Sequence, residues 1–320
     1  MEKTWVCLGV DIGGTTTNFG FVDMYGKVHY EASFPTRAFE PGELHLERLH
    51  YSIEEAWDRM HATYSLEGIG IGAPNGNFYQ GTIVNPPNLN WGTIEYAEKM
   101  KQWYSVPIRL TNDANAAAFG ELQFGGAQGL RDFMVITLGT GLGSGIVANG
   151  DMIYGFDGFA GEVGHTVVIR GGRQCGCGRR GCLETYASAS GIRRTAVELM
   201  ADLNITSELR AIPFTDLNGK RIAEAAQNGD ELALEAFKRT GDILGMGLAD
   251  AVAYTAPEAI ILVGGLAKAG DLILKPTRES FEAHVHSLWR NKIKIKLSGL
   301  ADGNIAILGA AALIWREIAD

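Results

Sequence analysis

Four residues within one short stretch have the types and the spacing of a metal site: His165, Cys175, Cys177 and Cys182. One imidazole and three thiolates make a closed tetrahedral set for zinc, which leaves no coordination position for a catalytic water. The alternative is a reduced cysteine cluster beside a histidine, but three Cys and one His within 18 residues rarely meet through packing alone. The spacing therefore predicts a structural zinc ion that fixes the surrounding loop.

Two carboxylates, Glu162 and Glu184, bracket this loop. A carboxylate close to a metal site often orients a ligand or is simply solvated. Together with the His165 imidazole, however, the two carboxylates would also suit the vicinal hydroxyls of a sugar. The residues alone leave both interpretations open.

Two glycine turns are candidate phosphate sites: Asp11-Ile-Gly13-Gly14-Thr15 and Gly139-Thr140-Gly141-Leu-Gly143. Each follows an apolar run, so backbone amides could meet an anion, while Asp11 could organise a hydrated Mg²⁺. The chain has no G-x-x-x-x-G-K-[ST] motif, and neither turn fits G-x-G-x-x-G followed by a helix, so a P-loop and a dinucleotide fold are disfavoured. Each turn alone could be an ordinary hairpin, but a matched pair favours phosphate binding.

Asn112 and Asp113 stand where a predicted strand ends and a predicted helix begins. Asn and Asp are good N-cap residues, so a capping role is one interpretation. An aspartate at a strand end could also take the proton from an attacking hydroxyl. The two roles are compatible.

The elements around these motifs repeat. An apolar run, a glycine turn and a second apolar run open the chain at Trp5 and recur about 125 residues later at Phe133. This pattern predicts a duplicated α/β domain with a cleft between its halves. Helices are predicted over residues 46–64, 94–103, 114–124, 222–226, 231–254 and 305–318, and buried strands over 68–73, 108–110 and 259–263.

Composition bounds the function further. The 320 residues include 42 Gly, and 46% are hydrophobic, which is ordinary for a globular protein long enough for two domains. A net charge of −9 would repel a polyanion, so no nucleic-acid partner is expected. Because the first apolar run is too short to cross a membrane and no export signal precedes the clustered Cys, we expect a cytoplasmic protein with no membrane partner.

The sequence resembles the ROK family of sugar kinases and repressors, within the actin/hexokinase-like ATPase superfamily, nearly from end to end. The matching segments are Asp11-Ile-Gly-Gly-Thr15, Leu110-Thr-Asn-Asp-Ala-Asn-Ala-Ala-Ala118, Leu138-Gly-Thr-Gly-Leu-Gly143, Gly161-Glu-Val-Gly-His165, Cys175-Gly-Cys-Gly-Arg-Arg-Gly-Cys-Leu-Glu184 and Val263-Gly-Gly265. The resemblance implies an α/β, two-lobed, ribonuclease H-like fold with duplicated βββαβα domains and an interlobe cleft. Residues 1–113 and a C-terminal helix of about 304–320 would form the small lobe, and 114–303 the large lobe with the zinc loop.

The resemblance also implies roles for individual residues. Asp113 would be the catalytic base, and the sugar would contact Asn112, Glu162, His165 and Glu184, so that His165 serves both zinc and sugar. ATP and Mg²⁺ would be held by Asp11, Gly13, Gly14, Thr15, Thr140 and Gly141, with adenosine against Gly264 and Gly265.

One loop departs from the family pattern. Family kinases usually carry Pro-Gly where this chain has Gly72-Ala-Pro74-Asn75. Asn75 can adopt the left-handed conformation that a Gly would supply, so the loop can keep its shape. Gly72 and Asn75 are accordingly expected to face the sugar, and the segment 85–91 resembles the family's loop near it.

The function that this resemblance implies is an ATP-dependent hexose kinase, with glucose as the preferred substrate. Fructose, allose, N-acetylglucosamine and N-acetylmannosamine stay open, because the named groups contact hydroxyls that these sugars share. A repressor of the same family would carry a helix-turn-helix domain before the kinase-like part, and only four residues precede the first strand here. A non-catalytic sugar-binding protein would be favoured if Asp113 or the phosphate turns were missing. We expect a homo-oligomer, either a dimer or a tetramer.

Overall fold

The computed structural model describes residues 3–300 and 305–319. Its strands are β1 (Thr4–Ile12), β2 (Thr16–Val22), β3 (Val28–Pro35), β4 (Tyr64–Ala73), β5 (Gly76–Asn77), β6 (Thr82–Val84), β7 (Thr93–Ile94), β8 (Ile108–Asn112), β9 (Phe133–Leu138), β10 (Leu142–Ala148), β11 (Asp151–Met152), β12 (Ala259–Val263) and β13 (Lys294–Leu297). Its α-helices are α1 (Gly42–Asp58), α2 (Tyr96–Met100), α3 (Asp113–Phe124), α4 (Ala189–Asp202), α5 (Gly219–Gln227), α6 (Glu231–Thr255), α7 (Asp271–His284) and α8 (Ile305–Ala319).

The chain divides into two compact units. Unit 1 comprises Met1–Gly129, Met152–Ala160 and Gly299–Asp320, and unit 2 comprises Leu130–Asp151 and Gly161–Ser298. The sequence-based boundary at residue 113 lies one helix earlier than this division, because α3 packs against α8 within unit 1. Residues 301–304 and 320, which include both ends of the predicted C-terminal helix, lie outside the described residues.

Each unit is built on a five-stranded sheet, and the two sheets have the same plan. The strand order is β3-β2-β1-β4-β8 in the first sheet and β11-β10-β9-β12-β13 in the second. In both, an antiparallel hairpin (β1 with β2, β9 with β10) continues into parallel neighbours (β1 with β4, β9 with β12). The α/β fold with a duplicated domain, predicted from the repeated strand–glycine turn–strand pattern, is thereby confirmed.

Helix α8 lies directly on β1 and β4, and glycines allow this close approach. A Cβ at Gly9 would overlap the Ile307 carbonyl, and one at Gly70 would overlap the Ala310 carbonyl. Cys7 is fully buried in the same layer beside Val22, so its interpretation as a core residue is confirmed. The glycines let the helix backbone pack closely against the sheet.

Two of the predicted helices extend beyond the observed ones. Helix α1 ends at Asp58 rather than continuing to Tyr64, because Tyr64 begins β4 and pairs with Thr4 of β1. The helix predicted over 94–103 shortens to α2, since Ile94 pairs with Ile83 in a small sheet of β5, β6 and β7. Among the described residues, we find no helix with the length and apolar character needed to cross a bilayer.

Candidate active site

The predicted site residues divide between the two units. Unit 1 contains Asp11, Gly13, Gly14, Thr15, Gly72, Asn75, Asn112 and Asp113, whereas unit 2 contains Thr140, Gly141, Glu162, His165, Cys175, Cys177, Cys182, Glu184, Gly264 and Gly265.

In unit 1, three neighbouring parallel strands bring candidate residues to one edge of the sheet. Asp11 of β1 is paired in register with Gly72 of β4, and Asn112 of β8 is paired with Ala73, the next residue of β4. Carboxyl ends of parallel strands are where ligands bind in open α/β sheets. Asp113 follows Asn112 directly as the first residue of α3. The edge therefore presents two carboxylates and an amide.

Both carboxylates at this edge hold their protons more tightly than usual. Burial raises the pKa of Asp11 to about 6, against the opposing effect of Asn18, whose Nδ2 donates to Asp11 Oδ2 at 3.2 Å. The negative charge of Asp113 raises the Asp11 pKa further, so the two carboxyl groups interact. Desolvation by the surrounding protein raises the pKa of Asp113 as well, although solvent still reaches this side chain. Such a site favours a cation or a proton between the carboxylates.

The start of α3 confirms the capping interpretation of Asn112. Its side chain accepts a hydrogen bond from the Ala114 N–H at 2.8 Å, and Asp113 Oδ1 accepts from the same N–H at 2.8 Å. This shared donor fixes the Asp113 carboxyl and stabilises its charged form, in opposition to desolvation.

Asn75 adopts the left-handed conformation that its position was predicted to need, with φ of +52°. Its Nδ2 donates to the carbonyls of Val84 at 3.0 Å and Asn85 at 3.2 Å. The amide of Asn75 therefore joins the end of β4 to the start of the segment 85–91.

In unit 2, the predicted metal ligands lie together. One ligand atom from each of His165, Cys175, Cys177 and Cys182 lies within 4.8 Å of the other three. The Cys177 and Cys182 sulfurs are 3.7 Å apart, and the Cys175 sulfur is 3.6 Å from His165 Nδ1. Sulfurs about 2.3 Å from one zinc ion in a tetrahedron would be separated by roughly 3.8 Å. The residues fit a zinc ion.

His165 contacts this cluster through one of its two ring nitrogens. Its Nδ1 points to the Cys175 sulfur, while its Nε2 lies 3.9 Å from Glu162 Oε2. A ring that ligates a metal through Nδ1 carries its proton on Nε2 and can donate it. The double role predicted for His165 is therefore geometrically possible.

Glu184 joins the cysteine cluster to the second glycine turn. Its Oε1 is 3.6 Å from the Cys175 sulfur, and its Oε2 accepts a hydrogen bond from the Leu142 N–H at 3.1 Å. A Cβ at Gly141 would overlap Glu184 Oε2. Glycine at 141 is thus required for the carboxylate to reach the turn.

The third glycine motif, Gly264-Gly265, follows β12, which runs parallel to β9. Gly264 has φ of +97°, and the next residue but one, Leu266, donates its N–H to the Leu138 carbonyl at 3.0 Å. Gly265 lines a cavity of about 450 Å³ beside α5. The other residues that line it are Gly219, Lys220, Ala223, Glu224, Gln227, Leu266, Lys268 and Ala269.

Sequence reasoning missed several of these residues. Asn18 lies directly across the hairpin from Asp11, and a hairpin register could have revealed it. Lys220, Gln227 and Lys268 reach the cavity from α5 and from the turn after β12, and no local pattern marks them.

Comparison with known proteins places these features in context. The ROK family model matches residues 7–317. The chain is 37% identical to the glucokinase of Halalkalibacterium halodurans, covering 99% of this chain and 97% of the relative. It is 27% identical to the xylose repressor of Bacillus subtilis, covering 100% of this chain and 79% of the repressor.

A solved structure of a ROK family protein also matches this chain over nearly its full length. The crystal structure of a ROK family glucokinase from Streptomyces griseus in complex with glucose and AMPPNP matches with a TM-score of 0.81 and 34% identity. The match covers 96% of this chain and 98% of that one.

Proposed function

The chain belongs to the ROK family and is a sugar kinase, and we propose that it transfers the γ-phosphoryl group of ATP to the 6-hydroxyl of glucose. The observation that carries this proposal is the pair Asp11 and Asp113 at one sheet edge, each with a raised carboxyl pKa. The similarity to glucokinases over nearly the full length, and to one bound to glucose and an ATP analogue, supports the choice of substrates.

Asp113 is the general base of the proposed reaction. As the 6-hydroxyl oxygen bonds to the γ-phosphorus, its proton passes to the Asp113 carboxylate, and the bond from the γ-phosphorus to the bridging oxygen breaks to release ADP. A carboxylate with a raised pKa is a stronger base and still loses its proton for the next cycle. The Ala114 N–H holds this carboxyl in place for the transfer.

The glycine turns bind the phosphates. In unit 1, the backbone of Gly13, Gly14 and Thr15 contacts phosphate oxygens, and Asp11 holds the water shell of Mg²⁺. In unit 2, Thr140 and Gly141 also contact phosphate oxygens. Mg²⁺ bound with ATP would neutralise part of the phosphate charge. The backbone N–H groups of the two turns would stabilise the negative charge that develops on the γ-phosphoryl oxygens during transfer.

The cavity beside Gly265 binds the adenosine of ATP. Its volume of about 450 Å³ is in the range of ordinary small-molecule sites. The exposed backbone of Gly265, with open space where a side chain would be, allows a flat base to approach closely. Gln227 and the Lys220 stem offer polar and apolar contacts at the same wall.

Side chains from both units contact the sugar in the proposed reaction. In unit 2, His165 would hold zinc through Nδ1 and donates its Nε2–H to a sugar hydroxyl, while the carboxylates of Glu162 and Glu184 accept hydrogen bonds from sugar hydroxyls. In unit 1, Asn112 contributes its amide, and the loop with Gly72 and Asn75 gives backbone contacts. A zinc ion would be held by His165, Cys175, Cys177 and Cys182 and would have a structural role, because four protein ligands would complete its coordination.

A second candidate is a kinase for another hexose or N-acetylhexosamine, since the assigned groups contact hydroxyls shared by these sugars. A non-catalytic sugar sensor is the third, favoured by the likeness to the xylose repressor. A base and two phosphate turns would serve no purpose in a protein that only senses sugar.

The deciding experiment measures ADP release by the purified protein with MgATP and a panel of sugars: glucose, mannose, fructose, allose, N-acetylglucosamine and N-acetylmannosamine. We expect glucose to give the highest kcat/KM. If no sugar raises ADP release above the sugar-free rate, the kinase proposal fails. A clear preference for an N-acetylated sugar would overturn the assignment of glucose alone.

A further inference from the structure

A chain of hydrogen bonds runs through the core of unit 1 and ends on the first phosphate turn. The Tyr96 hydroxyl lies 3.0 Å from His45 Nδ1, and His45 Nε2 lies 2.8 Å from Thr17 Oγ1. Thr17 Oγ1 lies 2.9 Å from Thr36 Oγ1, which donates to the Gly13 carbonyl at 2.7 Å. All four side chains are at most 1% exposed. Polar groups buried this deeply are retained only when their partners are in place.

Counting protons fixes the direction of every bond in this chain. A carbonyl can only accept, so the single hydroxyl proton of Thr36 goes to Gly13. Thr17 must therefore donate to Thr36, and its own oxygen must accept from His45 Nε2–H. Burial lowers the pKa of His45 to about 3, so the neutral ring has no proton on Nδ1 and accepts there from Tyr96. The four bonds point the same way and polarise one another toward the Gly13 carbonyl.

Thr36 holds the turn from two sides. Besides its hydroxyl bond to the Gly13 carbonyl, its backbone N–H donates to the Thr15 carbonyl at 2.9 Å. In a planar trans peptide the C=O and the following N–H point in opposite directions. With the Gly13 carbonyl drawn inward to Thr36, the Gly14 N–H is directed away from the core, as a phosphate donor must be.

The other end of the chain lies against a second functional segment. The His45 ring packs on Trp91 with 4.6 Å between ring centroids, and Trp91 stacks on Tyr96 at 6.3 Å. Trp91 is the last residue of the segment 85–91, which the family resemblance associates with the sugar. The same histidine thus contacts both this segment and the hydroxyl chain that reaches Gly13.

We propose that Tyr96, His45, Thr17 and Thr36 form a positioning relay that fixes the Gly13–Gly14 peptide for binding the phosphates of MgATP. The inference rests on the proposed kinase function, which assigns that turn to the nucleotide. None of the four residues touches the reacting atoms. Their effect is to hold one backbone donor in a single orientation before the nucleotide arrives, which lowers the entropic cost of binding.

Thr36→Val tests the relay, because valine matches threonine in shape and cannot donate to Gly13. We expect the KM for MgATP to rise about tenfold, the effect of one misdirected buried hydrogen bond. The KM for glucose should stay within about twofold, and Thr36→Ser, which keeps the hydroxyl, should restore the KM for MgATP. His45→Phe keeps the ring packing, removes both nitrogens and should raise the same KM.

Thr277→Val is the matched control. Thr277 is also fully buried, and its hydroxyl donates to the Ile273 carbonyl at 2.7 Å within α7 of unit 2. It should lower Tm about as much as Thr36→Val and leave the KM for MgATP unchanged. If Thr36→Val lowers Tm but leaves both KM values at the wild-type level, the residues only pack the core and the relay is wrong.

Direct nucleotide binding separates this inference from the proposed function. A fluorescent ATP analogue is titrated with Mg²⁺ in the absence of sugar. If no sugar stimulates ADP release but Thr36→Val still weakens the analogue about tenfold relative to wild type, the kinase proposal fails and the relay stands. Equal binding by wild type and Thr36→Val overturns the relay, as does a wild-type protein that binds no nucleotide.

Discussion

Glu184 accepts a hydrogen bond from the backbone N–H of Leu142 at 3.1 Å, across 42 residues of sequence. The same carboxylate lies against the Cys175 sulfur, so one side chain connects the metal-ligand cluster with the second phosphate turn. A residue proposed to bind sugar thereby also determines the shape of a turn proposed to bind phosphate. The proposed sugar contacts and the proposed phosphate contacts of unit 2 therefore share the Glu184 side chain.

Gly141→Ala should break this link. The new Cβ overlaps Glu184 Oε2, so the carboxylate must leave Leu142 and lose its position for the sugar. We expect glucose affinity, measured by calorimetry without nucleotide, to fall about tenfold for the loss of one charge-assisted hydrogen bond. Gly139→Ala is the control, because its Cβ would meet open space and should leave glucose affinity unchanged. Equal affinities for the two variants would show that Glu184 does not need this contact.

Asp113→Asn should remove catalysis and keep sugar binding. The amide has nearly the shape of the carboxylate and can accept from the Ala114 N–H, but it cannot take a proton from the hydroxyl. A general base commonly contributes about 10²- to 10⁴-fold, so kcat should fall within that range while the dissociation constant for glucose changes little. ADP release and calorimetry measure the two quantities. A variant with wild-type kcat would rule out Asp113 as the base.

Local sequence patterns predicted the parts of the site that depend on short-range chemistry. The Cys and His spacing predicted a cluster, and the four ligand atoms do lie together. The need for a left-handed residue at 75 was predicted from residue type and is confirmed by its φ of +52°. The repeated strand–turn–strand pattern predicted the duplicated domain, because antiparallel hairpins follow from apolar runs separated by glycine turns.

Contacts between distant segments could not be predicted in the same way. No sequence pattern near Leu142 predicts its hydrogen bond with Glu184, and none near Gly13 predicts its hydrogen bond with Thr36. These pairs form only when sheet register and loop paths are fixed by the packing of the whole unit. The grouping of α3 with unit 1 likewise depends on its packing against α8, β4 and β8, which no local sequence pattern predicts. The metal ion and the individual sugar contacts stay predictions.

Protonation of the Asp11 carboxyl should lower kcat/KM for MgATP at acidic pH. Its pKa of about 6 means that the free enzyme loses the negative charge that holds hydrated Mg²⁺ as the pH falls below that value. We expect kcat/KM for MgATP to be level above about pH 7 and to fall tenfold per unit well below pH 6. The pH profile of ADP release measures this. A flat profile from pH 7.5 to pH 5 would contradict the assignment.

The raised pKa of Asp11 also predicts that folding stability falls as the pH rises, whereas kcat/KM for MgATP increases. A carboxyl whose folded-state pKa lies above its unfolded value of 3.8 is destabilising when ionised, so folding stability is lost as the pH rises from about 4 to about 6. Asp11→Asn, measured with EDTA and without nucleotide, should therefore melt at a higher temperature than wild type at pH 7.5. The difference should vanish below about pH 4, where both side chains are neutral. A lower Tm for the variant at both pH values would show that burial does not disfavour the charge.

Removal of one thiolate should expose the dual role of the zinc loop. Wild-type protein should contain about one zinc per chain by elemental analysis, and Cys177→Ala or Cys182→Ala should lose most of it. Because loss of the metal would free the His165 Nδ1 and would also release the Cys175 sulfur, which lies 3.6 Å from Glu184 Oε1, we expect the KM for glucose to rise about tenfold or more together with a fall in Tm.

Cys7→Ala is the control for these variants, since Cys7 is buried in the core of unit 1 and lies outside the cluster. It should lower Tm through a small cavity, by about 1 kcal/mol of unfolding free energy, and keep both the zinc content and the glucose KM. If Cys177→Ala behaves in the same way, with lower Tm and unchanged KM, the metal braces the loop without orienting the sugar-binding groups. A full zinc content in Cys177→Ala would instead contradict the four-ligand site, because three remaining ligands and an open position bind this ion less tightly at a structural centre.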